Sequence, residues 1–242
     1  MRETVDILGV AVDKISAGSA QKKAERYLRT PGLSVIFTPN PEIIMAAHED
    51  PAFKEVLNSA DICTPDGIGV VYASKMIHNP VPERVPGFDL TCGLLQSISK
   101  TGEGVFLFGA KPGIAETAKE KLQEKYPGLV VSGTHDGYFT DDDNTRIIKE
   151  INDSGAKLLL VCLGAPKQEK WIYAHKDELQ VQLAMGVGGA LDVFAGNVKR
   201  APQFFIKCNL EWLYRFIKQP SRLRRFSALP KFMLAVKKSI KS

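Results

Sequence analysis

The sequence predicts an α/β fold, with a Rossmann-like, mostly parallel sheet, helices on both faces, and a basic helical appendage at the C-terminus. Short apolar, β-branched runs alternate with helical patterns along residues 1–198, which is typical of strands joined by crossover helices. The runs are mostly apolar, as expected for parallel strands buried on both faces. The remaining residues, 199–242, differ sharply in charge from the rest.

The predicted elements follow one another in a regular order. Right-handed crossovers between successive strands would give a doubly wound sheet. The predicted strands are Val5–Val10, Ser34–Thr38, Asp61–Thr64, Gly104–Phe108, Leu129–Ser132, Lys157–Leu163 and Val181–Gly186. The predicted helices between them are Ala17–Arg29, Glu42–Asn58, Gly67–Lys75, Phe88–Ser99, Gly113–Lys125, Asn144–Ser154 and Lys167–His175.

The strand-to-helix junctions are the places where this fold binds ligands, since ligands lie beyond the carboxyl ends of the strands. Five junctions combine Gly or Pro with a polar residue, and a helix start offers free N–H groups to an anion such as a diphosphate. Any one of them is equally typical of an ordinary turn or cap. Five on one edge predict a binding cleft, at 38–42, 64–67, 108–113, 163–169 and 186–192.

Several protein classes are excluded by composition. Uncharged apolar runs such as Leu158–Ala165 are far shorter than the ~18 residues of a membrane span. No basic-then-apolar leader begins the chain, so secretion is not expected. The four cysteines show neither zinc-ligand spacing nor the density of a disulfide framework. These features favour a reducing cytoplasm.

The net charge of +5 conceals an uneven distribution. Residues 199–242 hold 12 Lys and Arg but one acidic residue, a charge of +11, whereas residues 1–198 carry −6. We expect an amphipathic helix over Gln203–Lys218, interrupted at Pro220, followed by apolar residues interleaved with cations. This pattern predicts binding to an anionic membrane surface rather than to nucleic acid. A helix packed on the core, over Phe204–Ile217, is the structural alternative.

The junction motifs resemble those of a known family, in the same order along nearly the whole chain. The sequence resembles the WecG/TagA/CpsF glycosyltransferases of bacterial surface-polymer synthesis, and within them the TagA branch of wall teichoic acid synthesis. The motifs are Thr38-Pro39-Asn40, Pro65-Asp66-Gly67, Arg84-Val85-Pro86-Gly87 with Asp89, Asp136-Gly137-Tyr138-Phe139, Leu163-Gly164-Ala165-Pro166-Lys167-Gln168-Glu169 and Gly186–Gly196.

The resemblance implies a specific reaction. N-acetylmannosamine would pass from a UDP-sugar donor, UDP-N-acetylmannosamine, to N-acetylglucosaminyl-diphospho-undecaprenol, forming a β linkage. The enzyme would be peripheral on the cytoplasmic face of the bacterial cell membrane, and a homo-oligomer is left open. Two alternatives are a relative that uses UDP-glucose or another UDP-hexose, and a non-catalytic UDP-sugar-binding membrane adaptor.

Inversion at the anomeric carbon requires a base for the acceptor hydroxyl and stabilisation of the departing UDP. Asp66 is the predicted base, because Pro65 and Gly67 hold it in a turn after a buried strand. The alternative role for Asp66 is the N-cap of the helix Gly67–Lys75.

Other junction residues are predicted to bind the substrates. Thr38 and Asn40 would contact the sugar, with helix capping as their alternative role. Gln168 and Glu169 would line the donor site and Lys167 would contact phosphate, unless all three are solvated. Asp192 would contact the nucleotide or pair with the basic tail. The remaining predicted contacts are Arg84 on the acceptor side and the junction glycines Gly109, Gly186, Gly188 and Gly189.

The resemblance implies transfer without a metal or other cofactor, so another cation must meet the leaving diphosphate. Arg215, Arg222 and Arg225 are the predicted donors of that charge, with lipid headgroups as their alternative partners. The run Asp141-Asp142-Asp143 is expected to be a solvated helix start rather than a metal site.

Overall fold

A computed structural model describes residues 2–207, 210, 214 and 228–240 of the chain. Its centre is a six-stranded, wholly parallel sheet with helices on both faces, which confirms the predicted α/β class. The strands are β1 (Thr4–Ile7), β2 (Val10–Asp13), β3 (Ser34–Phe37), β4 (Ile62–Cys63), β5 (Gly104–Gly109), β6 (Val130–His135), β7 (Leu158–Cys162) and β8 (Leu183–Gly186).

Eleven α-helices lie in the described part of the chain. They are α1 (Ala17–Tyr27), α2 (Pro41–Glu49), α3 (Pro51–Asn58), α4 (Ile68–Met76), α5 (Gly87–Thr101), α6 (Ile114–Lys125), α7 (Asn144–Asp153), α8 (Lys167–Ala174), α9 (Ala190–Phe194), α10 (Gln203–Lys207) and α11 (Ala228–Ser239).

The prediction of one strand over Val5–Val10 is wrong. Leu8 and Gly9 adopt φ values of 56° and 90°, which turn the chain back on itself. β1 and β2 therefore form an antiparallel hairpin outside the main sheet. Both sides of the turn are apolar, so the sequence pattern alone does not reveal it.

The predicted helix Glu42–Asn58 is two helices. Asp50 ends α2 and caps α3, accepting a hydrogen bond from the Phe53 N–H at 3.1 Å. The reason is Pro51, which has no N–H and disfavours helical geometry at the residue before it.

The main sheet has the strand order β4-β3-β8-β7-β5-β6 and a hydrophobic core on each face. The adjacent strands β3 and β8 send their following helices to opposite faces. Ile44 of α2 packs in one core, whereas Leu191 of α9 packs in the other. A crevice opens at the carboxyl end of a sheet where such neighbouring connections diverge.

The C-terminal residues are described only in part. The first five residues of the predicted helix Gln203–Lys218 form α10, and its apolar positions Cys208, Trp212 and Phe216 lie outside the described residues. None of the described helices combines the length and apolarity that crossing a membrane requires.

Helix α11 packs against α2 and α4, and the side chains of Phe232 and Val236 are fully buried. These two side chains, which the sequence assigned to lipid, are instead part of the core. A packed C-terminal helix is observed at Ala228–Ser239, whereas most of the predicted Phe204–Ile217 lies outside the described residues.

Candidate active site

Asp66 lies in the turn after β4, half-buried at the carboxyl edge of the sheet. Its Oδ2 accepts a hydrogen bond of 3.2 Å from the N–H of Gly87, the first residue of α5. Asp66 is not the N-cap of α4, since Gly67 takes that position without a side-chain hydrogen bond. The carboxylate therefore joins two junctions, and the alternative of an α4 cap is wrong.

Thr38 lies directly after β3. Its side chain lies between the first residue of α5 and the end of β8. Its Oγ1 is 3.5 Å from the carbonyl oxygen of Gly186. A Cβ atom added at Gly87 would lie 2.7 Å from the same Oγ1. Thr38, Gly87 and Gly186 thus meet in the crevice beside Asp66, as the sequence predicts for junctions on one edge.

Gln168 links α8 to the loop after β8. Its Oε1 accepts from the N–H of Gly188 at 3.0 Å, and its Nε2 donates to Glu169 Oε1 at 2.8 Å. A Cβ at Gly186 would lie 2.9 Å from that Nε2, so the loop and the amide pack closely. Gly188 has φ of 57°, a left-handed conformation that suits glycine. The amide therefore fixes the position of the loop.

Glu169 is a buried carboxyl group, exposed by 1%. Burial raises its pKa, and the Gln168 hydrogen bond opposes that shift. Oε2 of Glu169 has no hydrogen-bond partner among the described residues. The alternative that these residues are solvated is therefore wrong for Gln168 and Glu169, which are buried. Lys167, by contrast, is exposed.

A second group of predicted residues lies at the neighbouring strands β5 and β7. Gly109 packs against the backbone of Cys162 with φ of 123°, which leaves no room for a Cβ. The Lys167 Nζ lies 3.4 Å from the carbonyl oxygen of Gly137 and 4.2 Å from the centroid of the Phe139 ring. Lys167 is therefore held over this second junction, apart from the contacts around Asp66.

Three further predicted residues have distinct settings. Asn40 caps α2, its Oδ1 accepting from the Ile43 N–H at 3.0 Å, so its structural role is confirmed. Arg84 is half-buried in the loop before α5, and Asp192 lies in the first turn of α9.

The ion pair to the basic tail is made by Asp89 with Arg200, at 2.6 Å. Among the described residues, no ion pair of Asp192 is observed.

The Asp141–Asp143 run forms a 3-10 turn at the start of α7. Asp143 accepts from the Thr140 main chain and hydroxyl, each at 2.9 Å, and from Arg146 at 3.0 Å. These bonds, the Thr140 backbone bond foremost, lower the Asp143 pKa to about 2. This confirms the expected helix start. Across the described residues, no group of three or more His, Cys, Asp or Glu side chains could hold a metal ion.

Sequence reasoning missed two features of the site. The first is that α5 begins beside Asp66. The second is that Thr64, two residues before Asp66, is fully buried, and its Oγ1 has no hydrogen-bond partner among the described residues. Both depend on long-range packing. Arg215, Arg222 and Arg225 lie outside the described residues.

Comparison with known proteins places these motifs in one family. The model of the family "Glycosyl transferase WecG/TagA/CpsF" matches residues 5–242. Three similar proteins are each named N-acetylglucosaminyldiphosphoundecaprenol N-acetyl-beta-D-mannosaminyltransferase. The protein from Bacillus spizizenii is 43% identical, over 84% of this chain and 78% of its own. Those from Bacillus subtilis and Staphylococcus aureus are 39% and 36% identical, over 86% and 97% of this chain and 81% and 92% of their own.

Proposed function

The chain belongs to the WecG/TagA/CpsF family of glycosyl transferases, and on that basis we propose that it transfers N-acetylmannosamine to N-acetylglucosaminyl-diphospho-undecaprenol. The transferred sugar and the acceptor are those in the names of its relatives. The donor is UDP-N-acetylmannosamine and the product linkage is β. In the bacterium this reaction serves wall teichoic acid linkage-unit synthesis.

The observation that carries the proposal is the convergence of three junctions on Asp66. The carboxylate is half-exposed at the crevice, and Thr38 and the Gly186 loop lie beside the Gly87 N–H that holds it. A carboxylate held at one edge of a sugar site has the chemistry of a general base.

The proposed step is a single in-line displacement. Asp66 accepts the proton of the acceptor hydroxyl as the hydroxyl oxygen bonds to the anomeric carbon of the donor. The bond from that carbon to the diphosphate oxygen breaks, and UDP leaves with the electron pair. The anomeric configuration is inverted because attack and departure lie on opposite sides of the carbon.

The remaining roles follow from position and charge. Thr38 and Gln168 border the sugar, together with Asn40, whose capping bond uses its Oδ1. The loop after β8, at Gly186–Gly189, and Asp192 border the nucleotide. Positive charge for the departing diphosphate comes from Arg215, Arg222 and Arg225, so no metal is required.

The proposed working position is the inner face of the cell membrane, where a lipid-linked acceptor presents its sugar. Residues 199–242 carry a charge of +11, which attracts anionic headgroups. On α11, Leu234 is exposed beside the exposed cations Lys231, Lys237 and Lys238. An exposed apolar side chain among cations suits the interface between headgroups and acyl chains.

Product analysis with a defined lipid-diphospho-N-acetylglucosamine acceptor tests the proposal. We expect a β-linked disaccharide from UDP-N-acetylmannosamine and little product from UDP-glucose. A preference for UDP-glucose would instead support a related transferase of different donor specificity. UDP-sugar binding with no product from any donor would support the non-catalytic adaptor.

A further inference from the structure

The first turn of α8 holds two consecutive polar side chains inside the protein. Gln168 is exposed by 3% and Glu169 by 1%. The Gln168 Nε2 donates to Glu169 Oε1 at 2.8 Å, and the Gln168 Oε1 accepts from the N–H of Gly188 at 3.0 Å. Glu169, Gln168 and Gly188 thus form one chain of hydrogen bonds from α8 to the loop after β8.

Both ends of this chain require the same orientation of the Gln168 amide. A main-chain N–H can only donate, so the Gly188 N–H must face the amide oxygen. The amide nitrogen then faces Glu169, whose carboxyl oxygen accepts from it. An amide turned by half a rotation would place two donors together at Gly188 and two oxygens together at Glu169. Glu169 therefore reinforces the one orientation in which Gln168 can hold Gly188.

The Gly188 N–H lies where the loop leaves the support of the sheet. The preceding N–H, of Val187, donates to the carbonyl oxygen of Val161 in β7 at 2.9 Å. Gly188 itself has a φ of 57°, and its N–H donates to the Gln168 side chain. The amide of Gln168 therefore continues the support of the loop beyond the last main-chain bond to β7.

The carboxyl group of Glu169 is costly to bury. Its Oε2 has no hydrogen-bond partner within the described part of the protein. A buried oxygen that loses its bonds to water without gaining others disfavours the folded state. The bond from Gln168 to Oε1 is the contact that this buried group provides, and it serves the loop after β8.

We propose that Glu169 is a positioning residue of the donor site, which holds the Gln168 amide and through it the main chain at Gly188. The proposal rests on the proposed function, in which Gln168 borders the transferred sugar and the loop Gly186–Gly189 borders the nucleotide. Glu169 acts through Gln168 rather than on the substrate, since its own side chain is enclosed. Without its hydrogen bond, the amide and the loop would adopt other positions and the donor would bind less tightly.

Hydrogen exchange measured by NMR on the full-length protein tests the positioning without any substrate. Glu169→Met replaces the carboxyl group by an apolar side chain of similar length, so the fold should keep its stability. The Gly188 amide should exchange about tenfold faster than in the wild type, a change expected for the loss of one hydrogen bond. The Leu107 amide in β5, two strands from β8, should exchange at the wild-type rate.

Steady-state kinetics test whether this positioning matters to transfer. Glu169→Met should raise the donor KM about tenfold, with a smaller change in kcat and none in the acceptor KM, because the bond supports donor binding. Glu169→Gln should recover part of the loss, since its amide oxygen can accept from Gln168 Nε2. A side chain that served stability alone would not separate the two KM values in this way.

The matched control is Lys170→Met, at the next position of α8. Lys170 is exposed, and its Nζ pairs with Asp50 Oδ2 at 2.8 Å. The control makes the same replacement of an ionisable side chain by methionine, but it removes no bond to Gln168. It should change neither the exchange rate of Gly188 nor the donor KM.

The outcomes separate this role from the proposed reaction. If the wild type makes no disaccharide, the proposed function fails, and the exchange rate of Gly188 still decides whether Glu169 holds the loop. An unchanged Gly188 rate in Glu169→Met would overturn the positioning, as would equal acceleration at Gly188 and Leu107. An unchanged donor KM in an active enzyme would overturn its role in transfer.

Discussion

Asp66 Oδ2 accepts a hydrogen bond of 3.2 Å from the main-chain N–H of Gly87, and this bond joins the turn after β4 to the start of α5. The first N–H groups of a helix have no partner within the helix and carry partial positive charge. The bond therefore fixes the orientation of the carboxylate relative to α5.

Replacing Asp66 by Asn distinguishes catalysis from support of α5. The Asn amide oxygen can still accept from the Gly87 N–H, so the fold and UDP binding should survive. The loss of a general base should lower kcat by about 10²–10⁴-fold. Turnover measured with the lipid-linked acceptor and UDP titration calorimetry check this pair of expectations. Near-normal turnover would leave Asp66 with a structural role alone.

Gly87→Ala tests how closely α5 approaches Thr38. The new Cβ would lie 2.7 Å from Thr38 Oγ1, so Thr38 or α5 must shift. We expect kcat/KM to fall about tenfold, as small misplacements in a site do. Gly18→Ala in α1 is the matched control, since nothing lies within 4 Å of its added Cβ. Equal kinetics for the two variants would show that the contact has no catalytic consequence.

Glu169 should make stability depend on pH. Because burial raises its folded pKa above the ordinary 4.5, the folded state holds the proton more tightly than the unfolded state. Its contribution is fully present below pH 4.5 and is lost as the pH rises through the folded pKa. Glu169→Gln should remove this fall in the free energy of unfolding, as measured by urea denaturation at several pH values.

The control for that experiment is Glu124→Gln, an exposed position on α6. It should leave the pH profile of unfolding as in the wild type. A Glu169→Gln variant with an unaltered profile would contradict a raised pKa.

Two neighbouring positions on α11 separate packing from membrane contact. Phe232→Ala should lower the free energy of unfolding by about 3–5 kcal/mol, because that side chain is fully buried. Leu234→Ala should change it by at most about 0.5 kcal/mol, since Leu234 is 60% exposed. Only the Leu234 variant should weaken binding to anionic vesicles without loss of stability. Equal destabilisation by both would contradict the packing of α11.

The acidic turn before α7 should have no part in donor binding. A double variant, Asp141→Asn with Asp142→Asn, removes two exposed carboxylates but keeps the Asp143 cap. We expect unchanged turnover, and no loss of wild-type activity in EDTA. Activity that EDTA abolishes and magnesium or manganese restores would show that the reaction needs a divalent cation.

Some elements of the fold are evident from the sequence, and others are not. The buried strands β5 and β7 were predictable because their residues are apolar throughout, a pattern that few other structures tolerate. The hairpin of β1 and β2 was not predictable, because the turn at Leu8-Gly9 lies between apolar residues and has no polar residue to mark it. The position of α11 was also missed, since a helix with apolar and basic residues suits both a core and a lipid surface.

The sequence by itself determined the α/β class, the sheet edge that carries the polar junctions, and the family to which those motifs belong. These follow from local periodicity and from residue order, which the chain carries wherever it folds. Only the tertiary structure decided that Asp66 meets α5 rather than capping α4, that Glu169 is buried, and that Asp89 pairs with Arg200. Such contacts join residues distant in the chain, and they depend on how the helices pack across the sheet.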